Sequence, residues 1–186
     1  MRREDLEHII RASAVITDQY EFVVIGSQSI LGQVPNPPEA FTASMEADIY
    51  PREAPELADK IDGAIGEGSP FHLQYGYYAE GVGPNTAVLP SDWMSRAHRI
   101  QNPNTDLKIG WCLDTADLFL AKAVANRPPK DKDFCCALLE HGYVKVAHVL
   151  ELVALIPLDA DQQKSLRARI RRWVKESRER GIEIPD

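Results

Sequence analysis

The sequence lacks a hydrophobic run long enough to cross a membrane, and it contains few cysteines. Its longest apolar stretches, FVVIG at 22–26 and VAHVLELVALI at 146–156, fall short of the roughly 20 residues that a spanning helix needs. The N-terminus carries acids in its first turn and lacks the apolar core of a secretory signal. The three cysteines (Cys112, Cys135 and Cys136) stand in apolar contexts without zinc-ligand spacing. These absences predict buried thiols, no membrane partner and a cytoplasmic protein.

Charge is distributed unevenly along the chain. The net charge is −7, yet residues 162–181 hold eight Lys or Arg against two Glu. The acidic remainder argues against general coating of nucleic acid, because like charges repel. The helical spacing of Leu166, Ile170, Trp173 and Val174 predicts a tail helix that packs one apolar stripe on the body. Its basic face is either solvated or a contact for RNA or an acidic partner.

Hydrophobic patterning changes near residue 113. Before that point the patterns predict a helix at 3–18, strands at 21–26, 45–50 and 71–80, and a hairpin of 97–102 with 106–113. After Asp114 helical patterns follow one another, ending in a helix at about 160–180. We therefore predict an α+β fold with a mixed sheet flanked by helices over 1–113, and a helical part over 114–186 that packs on this core as a cap.

The second predicted strand carries two carboxylates. Glu46 and Asp48 are two residues apart, so they project from the same face, whereas Met45, Ala47 and Ile49 face the core. Adjacent carboxylates repel each other unless a cation lies between them. The pair is therefore either part of a solvated face or a site for a hard divalent cation such as Mg²⁺ or Mn²⁺.

A glycine and a serine follow the first buried strand. Gly26 and Ser27 join this strand to a predicted short helix beginning at SQSILGQ. Glycine lets a phosphate approach the backbone, Ser27 adds a hydroxyl donor, and the first amides of a helix favour an anion. The turn is either a plain connection or a phosphate site. Together with the acid pair, it supplies what a nucleotidyl transfer needs.

The order strand, Gly26-Ser27, helix and Glu46-x-Asp48 resembles the nucleotidyltransferase superfamily of polymerase-beta type. The segment CLDTADLFLAKAVANRPPKDKDF at 112–134 resembles the Lys-and-Arg helical segment of AbiEii-like minimal nucleotidyltransferases, which include toxins of bacterial toxin–antitoxin pairs, and of related uncharacterised bacterial families. This resemblance implies a nucleotidyltransferase-like mixed sheet and nucleotide phosphate contacts from Lys122, Arg127 and Lys130. Lys122 can instead extend along an apolar surface, and the other two can be solvated.

The chain departs from the superfamily pattern at three points. Eighteen residues separate Ser27 from Glu46, and the first acid is Glu where Asp is commoner. The superfamily has a third catalytic carboxylate on a later strand, for which Glu80 is the nearest candidate here. Glu80 can equally be an exposed glutamate at a strand end. We expect catalytic roles for Glu46 and Asp48, and for Glu80 if Glu80 is the third acid.

Two functions are compatible with these patterns. The first is Mg²⁺- or Mn²⁺-dependent transfer of a nucleotide from a nucleoside triphosphate to RNA, a protein or a small molecule, in a toxin–antitoxin context with a partner protein from the same locus. The second is an inactive nucleotidyltransferase-like binding or regulatory protein, which the missing third acid favours. The sequence does not identify the acceptor.

Overall fold

The structure, a computed structural model, describes residues 1–184 and divides into two compact units. The first comprises Met1–Thr86 and Ala97–Asp114, and the second comprises Ala87–Arg96 and the described residues from Thr115 onward. The first unit contains a mixed β-sheet with helices, and the second is helical. The predicted α+β fold is confirmed.

The first unit is built on one open sheet. Its strands are β1 (Glu21–Ile25), β2 (Glu46–Pro51), β3 (Tyr78–Gly81), β4 (His98–Ile100) and β5 (Ile109–Cys112). Their order is β3-β2-β1-β5-β4, with β1 parallel to β5 and β2 parallel to β3. The antiparallel pairs are β1 with β2 and β4 with β5, and the second pair is the predicted hairpin.

Four α-helices and several 3₁₀ turns complete this unit. The helices are α1 (Arg3–Thr17), α2 (Glu39–Thr42), α3 (Ala58–Ile65) and α4 (Pro70–Tyr75), and 3₁₀ helices lie at Ser27–Gly32, Pro55–Leu57, Pro84–Thr86 and Pro103–Thr105. α1 and α3 pack on the sheet face that buries Ala47 and Ile49. A methyl group on Gly110 would overlap the side chain of Ile10, so the glycine lets α1 approach β5 closely.

Two details of the predicted strands are wrong. Residues 70–75 form α4, and the strand covers only 78–81. The reason is local. The Ser69 hydroxyl accepts a hydrogen bond from the backbone amide of His72, and Pro70 occupies the first turn of the helix. Gly76 ends the helix in the left-handed conformation, with a φ of 78°. Met45 precedes β2 and is 54% exposed, so it does not face the core.

The second unit is a helical bundle. Its helices are α5 (Thr115–Ala125), α6 (Lys130–Glu140), α7 (Val146–Leu152) and α8 (Ala160–Glu179), with 3₁₀ helices at Trp93–Arg96 and Val153–Leu155. α8 begins with a capping box between Asp159 and Gln162. Its apolar stripe is buried as predicted, and Trp173 packs edge-on against Phe119 with ring centroids 6.4 Å apart.

The three cysteines are buried free thiols, as the sequence predicts. Burial raises the pKa of Cys112 to about 12, and it also raises the pKa of Cys135 and Cys136. Such thiols are poor nucleophiles, because the thiolate is the reactive form. Across residues 1–184 there is no helix with the length and apolar character needed to cross a bilayer.

Candidate active site

Three carboxylates converge on the sheet face opposite α1 and α3. β2 presents Glu46 and Asp48, because alternate residues share a face and Ala47 between them is buried on the other side. β3 adds Glu80, which lies directly opposite Asp48 in the parallel ladder. One carboxylate oxygen from each residue lies within 4.8 Å of the other two. The two β2 acids are half-buried, whereas Glu80 is exposed.

Gly26 supports this cluster from the end of β1. Ile25, the last residue of β1, pairs with Asp48, so the glycine that follows lies beside the Asp48 carboxylate. A Cβ atom at residue 26 would overlap that carboxylate. The backbone of Gly26 has φ 70° and ψ −168°, a region that only glycine readily occupies. Both the space and the backbone conformation therefore require glycine here.

Gly26 leads into the predicted short helix. Ser27 opens a six-residue 3₁₀ helix at Ser27–Gly32, rather than an α-helix. The amide and the hydroxyl of Ser29 both donate to the carbonyl of Gly26, at 3.2 and 3.0 Å. The turn thus sets Gly26 and Ser27 next to the acid cluster, as the sequence order suggested, but it offers only a short helical dipole.

Tyr78 is a fourth side chain on this face, and the sequence reading did not single it out. It lies opposite Glu46 in the β2–β3 ladder, and its hydroxyl donates to Glu46 Oε2 at 3.1 Å. Burial and this hydrogen bond raise the pKa of Tyr78 to about 12, so the phenol stays protonated. The spacing of Tyr78 could have identified it from the sequence, because residues two apart in a strand share a face and Tyr78 stands two before Glu80.

The donor set fits a hard divalent cation. Mg²⁺ and Mn²⁺ prefer oxygen ligands, and all three converging side chains offer carboxylate oxygens. Three like charges this close repel one another, and a bound cation relieves that repulsion. Within residues 1–184, this is the one group of three or more acidic, histidine or cysteine side chains close enough to share an ion.

The basic residues of the second unit lie around a buried carboxylate. Lys122 is only 5% exposed, and its ammonium lies 3.5 Å from Asp131 Oδ1. Arg127 donates its amide and its Nε to Asp131 Oδ2, at 2.8 and 3.1 Å. Lys130 begins α6. The structure therefore brings Lys122 and Arg127 together through Asp131.

These contacts shift the titration of the buried pair. Burial lowers the pKa of Lys122, and the charge of Asp131 opposes that shift only in part. Burial alone would raise the pKa of Asp131, but the hydrogen bonds from Arg127 and the charge of Lys122 outweigh it, so this pKa is lowered. The carboxylate is thus held ionised between two cations.

A second buried carboxylate in this unit also went unpredicted. Asp117 is fully buried, and its two oxygens accept from Arg96 at 2.8 and 3.0 Å. Arg96 also pairs with Asp92 at 2.7 Å. A bidentate pair of this kind ties segment 87–96 to α5. The arginine stands 21 residues from its partner, so no local pattern marks the pair.

Comparison with known proteins agrees with this geometry. The family model described as "Nucleotidyltransferase of unknown function (DUF6036)" matches residues 4–174. The chain belongs to this family. Searches of curated proteins and of solved structures returned no match.

The DUF6036 match covers both the acid cluster and the basic residues of the second unit. It confirms the resemblance to nucleotidyltransferases that Gly26-Ser27 and Glu46-x-Asp48 suggested. A nucleotidyltransferase family implies a nucleotide substrate. The description of the DUF6036 family names the nucleotidyltransferase class but gives neither an acceptor nor a specific function.

Proposed function

We propose that this protein transfers a nucleotidyl group from a nucleoside triphosphate to an acceptor hydroxyl, using Mg²⁺ or Mn²⁺. One observation carries the proposal: Glu46, Asp48 and Glu80 converge beside Gly26 in a member of a nucleotidyltransferase family. In that family context, a cluster of three carboxylates next to a glycine turn favours metal-dependent phosphate chemistry over a merely solvated acidic face.

The residues of the cluster have two proposed roles, cation binding and acceptance of a proton. Glu46 and Asp48 would hold the cation, and the exposed Glu80 would complete the ligand set and receive the proton of the acceptor hydroxyl. A bound divalent cation would neutralise phosphate charge and favour ionisation of the attacking hydroxyl. Gly26 leaves room for Asp48, and Ser27 offers its hydroxyl and backbone to a phosphate oxygen.

The roles of the basic residues remain part of the proposal. The family resemblance assigns phosphate contacts to Lys122, Arg127 and Lys130. The side chain of Arg127 is 67% exposed although it pairs with Asp131, whereas that of Lys122 is only 6% exposed. Arg127 is therefore the better placed of the two to meet a ligand, and Lys122 supports it by sharing Asp131.

The acceptor is proposed only as a class: RNA, a protein or a small molecule, with a toxin–antitoxin setting as one context. The inactive alternative depended on the lack of a third carboxylate. Glu80 lies opposite Asp48 in the β2–β3 ladder and can supply the third carboxylate, which argues against the inactive alternative. Active transfer is therefore the function we favour.

The first test measures binding, because it needs no acceptor. We expect calorimetric titrations with each common nucleoside triphosphate to detect binding that depends on Mn²⁺. Asp48→Asn should weaken Mn²⁺ binding about tenfold or more, since loss of even an indirect contact to a metal ligand typically costs 10–100-fold. The matched control is Asp59→Asn, the same change at an exposed position of α3. Equal Mn²⁺ affinity in both variants would contradict the metal site.

A labelling experiment then tests the reaction type. The protein is incubated with Mn²⁺, with RNA and protein fractions of a bacterial extract, and with triphosphates labelled at either the α- or the γ-phosphate. Nucleotidyl transfer moves the α-label into the acceptor and releases pyrophosphate. Transfer of the γ-label instead would show a kinase-like reaction and overturn the proposal. Asp48→Asn should abolish the labelling, and Asp59→Asn should preserve it.

A further inference from the structure

Glu46 and Asp48 are held in different ways. The short Asp48 side chain lies against the backbone of Gly26, where a Cβ atom at residue 26 would overlap its carboxylate. Glu46 has a longer side chain with one more rotatable bond, so its carboxylate needs a separate contact to keep one orientation. The hydroxyl of Tyr78, 3.1 Å from Glu46 Oε2, makes such a contact.

Tyr78 itself is held in place on two sides. Its backbone is fixed opposite Glu46 by the parallel pairing of β2 and β3. Its ring lies against the ring of His72, with centroids 4.6 Å apart. Contacts other than the bond to Glu46 therefore set the position of the Tyr78 hydroxyl. The hydrogen bond can then orient the Glu46 carboxylate.

The chemistry of the phenol suits this task. A hydroxyl that donates to a carboxylate uses one of its roughly four lone-pair sites, so the carboxylate can still coordinate a cation. It adds no positive charge, so Glu46 keeps the negative charge that attracts the metal. A Lys or Arg at the same place would compete with the cation instead.

We propose that Tyr78 is a positioning residue, whose hydroxyl holds the Glu46 carboxylate in the orientation that binds the divalent cation. The inference rests on the proposed function for the assignment of a cation to Glu46, Asp48 and Glu80. Groups of this kind, which hold a metal ligand without touching the metal, typically change metal affinity 10–100-fold when removed.

The test compares Mn²⁺ binding to wild type, Tyr78→Phe and Tyr77→Phe by calorimetry. Both variants lose one hydroxyl and one hydrogen bond, but Tyr77 bonds to His8 Nδ1, at 2.8 Å, and not to a carboxylate of the cluster. We expect Tyr78→Phe to raise the Mn²⁺ dissociation constant 10–100-fold. Tyr77→Phe should leave it unchanged. Thermal unfolding in the presence of EDTA checks that both variants fold.

Two further readouts separate positioning from a merely structural role. In the Glu46→Gln background, Tyr78→Phe should have no additional effect on Mn²⁺ affinity, because Tyr78 acts through the Glu46 carboxylate. Mn²⁺ should also produce a tyrosine band in the near-ultraviolet difference spectrum of wild type and of Tyr77→Phe. Tyr78→Phe should lack this band.

The outcomes distinguish this inference from the proposed function. If wild type binds Mn²⁺ and Tyr78→Phe binds it equally well, the positioning role is wrong and the metal site stands. The positioning role would also be overturned if Tyr78→Phe lowered the Mn²⁺ affinity equally in wild type and in the Glu46→Gln background. If wild type does not bind Mn²⁺, the proposed function fails, and the positioning role fails with it.

Discussion

At the scale of single residues, the candidate site depends on one glycine and one hydrogen bond. Gly26 gives the Asp48 carboxylate its space, and Tyr78 gives the Glu46 carboxylate a donor. Neither residue carries a charge, so neither would bind a cation by itself. Their effect is to fix where two charged groups lie, and such fixed geometry is what metal affinity depends on.

Gly26→Ala should disturb both the backbone and the acid cluster. The glycine-only backbone conformation at this residue costs other residues about 1–3 kcal/mol, and the new methyl group would displace the Asp48 carboxylate. We expect a lower free energy of unfolding by about that amount, measured in urea, together with weaker Mn²⁺ binding by calorimetry.

The matched control for this change is Gly63→Ala. Gly63 lies within α3, and a Cβ there would meet no atom within 4 Å. Alanine is favoured over glycine in a helix by about 0.5–1 kcal/mol, so this variant should be slightly more stable and should bind Mn²⁺ normally. A Gly26→Ala protein as stable and as competent for Mn²⁺ as wild type would show that the backbone there can relax.

At the scale of elements, the start of α6 is held to α5 by charge. Asp131, in the first turn of α6, lies against Lys122 of α5 and against Arg127 of the intervening turn. A carboxylate in the first turn also interacts favourably with the helix dipole. The turn between these helices is therefore organised by one buried anion.

The stability supplied by Asp131 should depend on pH in a definite direction. Its pKa is lowered in the folded protein, so the ionised form stabilises the fold above the unfolded-state pKa. This contribution is lost as the pH falls through the folded-state pKa, below about 4. Asp131→Asn should lower the free energy of unfolding by about 3 kcal/mol at neutral pH, since removing one partner of a buried pair typically costs 3–5 kcal/mol.

Urea unfolding of both proteins between pH 7 and pH 3 checks this expectation. The difference between wild type and Asp131→Asn should be largest at neutral pH and should shrink as the solution becomes acidic. Asp133→Asn is the control, because Asp133 is an exposed aspartate in the same first turn. If the difference does not change with pH, the carboxylate charge is not what holds the turn.

At the scale of the whole molecule, the two units have different chemical characters. The acid cluster, Gly26 and Tyr78 all belong to the first unit, and the buried Lys122–Asp131 pair and the basic helix α8 belong to the second. Each unit has its own core, and each contains at least one buried thiol: Cys112 in the first, Cys135 and Cys136 in the second. Alkylation of these thiols can therefore detect the opening of each unit separately.

All three thiols should resist alkylation in the native protein. Burial raises their pKa values and blocks access, so reaction needs local or global opening. We expect N-ethylmaleimide at pH 8 to leave Cys112, Cys135 and Cys136 unmodified, as measured by peptide mass spectrometry. In 8 M urea the same reagent should modify all of them within minutes. Rapid native modification of one cysteine would contradict the packing of the unit that contains it.

The sequence alone determined most of the elements and part of the site. Helical periods predicted α1 and α8 and alternation predicted β2, because burial of one face imposes its period on the chain, whereas a continuous apolar run predicted the fully buried β1. The alternation also put Glu46 and Asp48 on one face, as the structure has them. The strand predicted at 71–80 was wrong over residues 71–75, where the local Ser69-Pro70 and Gly76 signals determined a helix instead.

Only the tertiary structure decided which distant residues meet. Glu80 lies opposite Asp48, and Tyr78 opposite Glu46, because β3 pairs with β2 in one particular register, and a shift by one residue would turn these side chains to the other face. The pairing of Arg96 with Asp117 and the burial of Lys122 beside Asp131 likewise depend on packing between separate segments. A sequence displays local periods, but the register and the partners of buried charges follow from the packing of the whole unit.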